Sequence, residues 1–99
     1  MIPTHRISTH PGEILSEDFL KPLNLTQAEF ARHIGVPVQR INEIVNGRRG
    51  ISAETAMLFA KAFSTSAETW LNLQVMYDIS SCEFDSGHVK PIKQRKVAH

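Results

Sequence analysis

The chain has 99 residues, 41% of them hydrophobic, and its 11 Lys and Arg against 10 Asp and Glu leave a formal charge of only +1. That length holds one domain, able to bury about 60–70% of its unfolded surface, and the near-neutral total argues nothing about nucleic acid, which must rest on where the charges sit. No apolar run approaches the ~18 residues of a membrane span and no signal peptide opens the chain, while a lone Cys82 excludes an internal disulfide framework and fits a reducing, cytoplasmic setting.

Met1 to Thr9 is polar and aperiodic, and reads as an N-terminal arm (residues 1–9). Pro11 begins the first helix, with His10 extended before it as the cap and Glu13 in its first turn. Ile14, Leu15 and Phe19 form its inner face, Glu17 and Asp18 its outer one, and Lys21-Pro22-Leu23-Asn24 breaks it. A second helix starts at Thr26. Thr26 is its N-cap, Glu29 closes a capping box, and Leu25 staples onto Phe30. Ala28, Phe30, Ala31 and Ile34 give it an inner stripe, and Gly35 supplies the left-handed C-terminus.

Pro37 biases Val36 to extended backbone, so a third helix begins within about a residue of it. Its inward residues are Ile41, Ile44 and Val45. At about 100° per residue, Gln39, Glu43 and Asn46 fall opposite Ile41, with Arg40 and Asn42 on the flanks. Amides and guanidinium are the groups that pair bidentately with adenine and guanine edges in the major groove. A plain helical hairpin with a solvated polar face is the competing reading. The small Ala31, Gly35 four residues on, and then Ile41 and Ile44 meet the requirements of a helix-turn-helix together.

Ser52 caps a fourth helix running from Ala53 to about Phe63, lined by Ala56, Phe59, Ala60 and Phe63. A capping box of Thr65 with Glu68 opens a fifth, to about Tyr77. This helix carries Trp70, Leu71, Leu73, Val75, Met76 and Tyr77, more apolar surface than one face can bury. The excess points to a two-fold homodimer interface through Trp70, Leu71, Leu73 and Tyr77; a purely intramolecular place for Trp70 is the alternative. From Ser80 the composition turns polar and then basic, with Lys90, Lys93, Arg95 and Lys96, and reads as a weakly ordered tail (residues 80–99).

Catalysis and metal chemistry find no support. His5, His10, His33, His88 and His99 show no metal-site spacing. Cys82 and His88 sit in the expected tail, with nothing to hold them as nucleophile and base. The five glycines are dispersed and form no phosphate loop. The chain is therefore read as a non-enzyme without metal or cofactor.

Leu25-Thr26-Gln27 through Asn46-Gly47-Arg48-Arg49 resembles the Cro/C1-type (XRE) helix-turn-helix of phage repressors. His10-Pro11-Gly12-Glu13-Ile14-Leu15, with Trp70-Leu71-Asn72-Leu73-Gln74 and Tyr77-Asp78, is similar to the HigA family of antitoxins, also labelled virulence-associated protein I. The resemblance spans roughly residues 9 to 79. It implies an all-α, five-helix, lambda-repressor-like domain over residues 10–79, binding double-stranded operator DNA as a dimer. It also implies repression of its own operon and neutralisation of a RelE-like ribonuclease toxin (HigB-type). A stand-alone or phage-type repressor without a toxin is the alternative. Carried across position by position, the resemblance assigns base reading to Val38, Gln39, Arg40, Asn42 and Glu43. Phosphate binding falls to Gln27, Asn46, Arg48 and Arg49. Pro37 and Val38 depart from the polar residues common at those positions, so an operator sequence does not transfer.

Overall fold

In the computed structural model, which describes residues 7–93, every regular element is helical and no strand occurs among the described residues. The His10 imidazole Nδ1 accepts a hydrogen bond from the Gly12 N–H at 2.9 Å, capping α1 (Pro11–Ile14). The same helix continues without interruption as a π-helical segment, Leu15–Leu20, which sequence periodicity did not anticipate. Its main chain bonds five residues back, as from Lys21 N–H to Ser16 O at 3.0 Å. In regular α-helix Leu15 and Leu20 would stand about 140° apart. The wider winding draws residues five apart towards one line, and both leucines are buried.

Helix α2 (Gln27–Ile34) opens on the expected capping box. Glu29 N–H donates to Thr26 Oγ1 at 3.0 Å, and Thr26 N–H donates to Glu29 Oε1 at 2.9 Å. The bond from the Thr26 main-chain N–H, with the Thr26 hydroxyl beside it, lowers the pKa of the Glu29 carboxyl. Gly35 ends α2 at φ +76°, left-handed as expected, and α3 (Val38–Val45) follows with Pro37 at its N-cap. Ser52 caps α4 (Ala53–Phe63) through Thr55 N–H.

The cap of α5 (Ala67–Ser81) differs from the expected one. Ser66 accepts from Thr69 N–H, and Thr65 is instead engaged by the Trp70 indole. Helix α5 also runs to Ser81, so the non-helical tail begins at Cys82 rather than Ser80. Lys90 and Lys93 in it are exposed; Arg95 and Lys96, like the arm up to Arg6, lie outside the described residues.

One core joins all five helices: Leu15, Leu20, Phe30, Ala31, Ile41, Ile44, Ile51, Ala56, Phe59 and Trp70. Trp70 sits at its aromatic centre, 5.1 Å from the Phe59 ring and 5.2 Å from that of Phe19. Its Nε1–H donates to Thr65 Oγ1 at 2.8 Å, which meets the need of a buried indole. Trp70 is 1% exposed, which removes it from any partner-facing surface and corrects its assignment to the interface. Helical spacing marks a residue as apolar but does not tell which of two apolar faces turns inward.

Candidate nucleic-acid interface

Helix α3 is anchored from within and open outwards. Ile41 and Ile44 are completely buried, and Ala31 on α2 is buried beside them, the small residue that lets the two helices cross closely. Burying that stripe turns Gln39, Asn42 and Asn46 to the exterior; Arg40 is half-buried on the flank, and Glu43, expected to face out opposite Ile41, is half-buried with its carboxylate against Arg49. Val38 at the helix start is 48% exposed, an apolar side chain held in solvent at the head of a polar face.

The amides of this face are joined in a chain. Asn46 Nδ2 donates to Asn42 Oδ1 at 3.2 Å, and Asn42 Nδ2 donates to Gln27 Oε1 at 3.1 Å. The start of α2 and the length of α3 thus form one surface, with an amide N–H₂ of Gln27 left over at the N-terminus of α2. A helix N-terminus with free donors is a seat for phosphate.

The arginines are also placed by partners. Arg49 Nε donates to Glu43 Oε1 at 2.8 Å, and Arg40 Nη1 lies 4.0 Å from Glu54 Oε1 at the start of α4. Pro37, Gln39, Arg40, Glu43 and Arg49 line a shallow depression of about 220 Å³ on this face. Gly47, at φ +74°, turns the chain out of α3 so that Arg48 and Arg49 follow it on the surface. The loop is fastened from behind, where Ile51 N–H donates to Gln74 Oε1 of α5 at 2.7 Å. Sequence spacing gave no sign of Gln74 or Glu54 in these roles, since both are contacts between distant segments.

His10 stands behind the loop as well. Its ring meets Tyr77 edge-on at 4.7 Å. Burial lowers the His10 pKa, opposed by the Asp78 carboxylate.

Of the four expected partner-facing residues on α5, Leu71, Leu73 and Tyr77 are half-buried and Trp70 is internal. The large apolar side chains that α5 exposes are Val75, Met76 and Ile79, followed by Phe84 in the tail. Among the described residues no three His, Cys, Asp or Glu side chains converge as a metal site, and no helix is long and apolar enough to cross a membrane. His5 and His99 lie outside the described residues.

A helix-turn-helix family model matches residues 17–70. Virulence-associated protein I of Dichelobacter nodosus is 43% identical over 83 residues, covering 84% of this chain and 77% of that one. The structure of Pseudomonas aeruginosa antitoxin HigA with the higBA promoter superposes with a TM-score of 0.74 at 41% identity, over 77% of this chain and 82% of the other. An addiction module antidote protein of a HigA family from Coxiella burnetii gives a TM-score of 0.80 at 39% identity, over 88% and 100% of the two chains.

Proposed function

The chain belongs to the helix-turn-helix family, in the group that holds virulence-associated protein I and the HigA antitoxins, and from that premise we propose that it is an antitoxin that binds operator DNA and represses its own operon. The observation that carries the reading is the α3 face. Ile41 and Ile44 bury one side completely, and the other presents amides and Arg40 in one connected surface with Gln27 and the Arg48-Arg49 loop.

On DNA, α3 enters the major groove with Val38, Gln39, Arg40 and Asn42 at base edges. Glu43 completes the segment first assigned to base reading. Val38 offers an apolar contact suited to a thymine methyl. Gln27, Asn46, Arg48 and Arg49 hold the phosphates on either side, which sets register without reading sequence. The protein acts in the cytoplasm by binding alone, without cofactor or catalysis.

A second copy and a toxin complete the assembly. One recognition helix covers only a few base pairs, and a two-fold dimer places two of them about 34–36 Å apart. The apolar side chains Val75, Met76 and Ile79, continuous with Leu71, supply the surface for that contact; Leu73 and Tyr77 support it from beneath. The protein partner is a RelE-like, HigB-type ribonuclease, neutralised by complex formation.

Co-expression with the product of the adjacent gene, followed by gel-shift titration on the DNA upstream of both, tests the whole reading. A stable complex and saturable binding that resists non-specific competitor are expected. Binding that competitor removes entirely would overturn the operator function; tight operator binding without any toxin would leave a stand-alone repressor.

A further inference from the structure

Resting on the DNA-binding reading above, we infer that Glu43 is a positioning residue for Arg49 and not a reader of bases. Glu43 receives the loop at three points. Its carboxylate accepts from Arg49 Nε at 2.8 Å, and its main-chain carbonyl accepts from Arg48 N–H at 2.8 Å and Arg49 N–H at 3.3 Å. The Glu43 side chain is 29% exposed against 50% for that of Arg49, so the carboxylate forms the inner anchor and the guanidinium the outer arm.

The choice of atom matters. A guanidinium has five N–H donors in a rigid plane, and only Nε is engaged here. The terminal fork, the part that grips a phosphate bidentately, stays available and keeps a set orientation. A base-reading carboxylate would have to accept from a cytosine N4 amine. Here Oε1 is already held by Arg49 in the inner position, and a carboxylate turned out into the groove would stand among phosphates of its own charge.

The test is a double-mutant cycle on the tightest duplex selected by the wild-type protein from a randomised pool. Glu43→Ala and Arg49→Ala should each weaken binding about tenfold, and each should flatten the salt slope by about one. Combined, they should weaken it no further than Arg49→Ala alone. Glu43→Gln, which keeps an acceptor for Nε, should retain the wild-type slope. Arg49→Lys, at an exposed position, keeps the charge but has no Nε donor and should lose as much as Glu43→Ala. Additive losses in folded variants would overturn the inference. So would a changed base preference in Glu43→Ala with the salt slope intact, or wild-type binding by Arg49→Lys. If the wild-type protein selects no duplex at all, the DNA reading itself fails and takes this inference with it.

Discussion

Gly12 and the main-chain carbonyl of Ile44 are in such close apposition that a methyl group on Gly12 would stand 1.7 Å from the Ile44 oxygen. The first helix therefore packs on α3 backbone to backbone, and any side chain at Gly12 must force them apart. Gly12→Ala should cost about 3 kcal/mol or more. Gly35→Ala meets nothing within 4 Å but must hold φ at +76°, so it should cost only about 1 kcal/mol. Urea unfolding of the two variants measures both, and equal losses would contradict the packing argument.

His10 should make stability depend on pH. Its native pKa lies below 6.5, first through burial, with Asp78 opposing. The unfolded chain therefore takes up the proton at higher pH than the folded one. Stability should fall as pH drops from about 6.5 towards the lowered native value, and level off beneath it. Protonated Nδ1 no longer accepts from Gly12 N–H, the bond that caps the first helix. His10→Asn keeps a capping acceptor and should flatten this part of the profile in melts between pH 8 and 5. An unchanged profile would place the titration elsewhere.

The two arginine roles should separate cleanly. Arg40→Ala should cost roughly 1–3 kcal/mol of operator affinity and relax preference at one position. Arg48→Ala should weaken binding to every duplex and flatten the salt slope by about one. Competition titrations at several salt concentrations measure both effects. Altered base preference in Arg48→Ala, with the salt slope kept, would reverse the assignment.

On α5, Ile79→Glu probes the surface that Trp70 does not reach. Ile79 is 69% exposed in the single chain, so monomer stability should change by no more than about 0.5 kcal/mol. Sedimentation should shift towards monomer, and a full palindrome should lose more affinity than an isolated half-site. Trp70→Ala, in contrast, should cost about 3–5 kcal/mol through a core cavity. Wild-type protein that sediments as a monomer at micromolar concentration and binds without cooperativity would dispose of the dimer.

Local chemistry was the most legible part of the chain. The boxes and caps at His10, Thr26, Gly35 and Ser52 depend on neighbours within a few residues, and each is present. The inward stripe of α3 was legible for the same reason, and with Ile41 and Ile44 buried Gln39 and Asn46 face out as expected, while Glu43 is half-covered by Arg49. The cap of α5 was displaced by one residue because Thr65 is taken by the Trp70 indole, a preference set by the core. The Glu43–Arg49 pair and the Gln74 bond to Ile51 arise only when the loop is folded. Neither has a periodicity to betray it.

The π-helical stretch from Leu15 to Leu20 lets this helix absorb a change of one residue in length. Each of its turns takes about one more residue than an α-turn, so the segment behaves as a built-in single-residue insertion. Deleting one residue there would restore regular winding, and because six residues wound this widely turn about as far as five in α-helix, everything before it would keep its face. Gly12 would stay against the Ile44 carbonyl and His10 against Tyr77. Natural length variation of one residue should concentrate in this stretch, while a deletion in the regular helices, which have no slack, should turn one flank by about 100°.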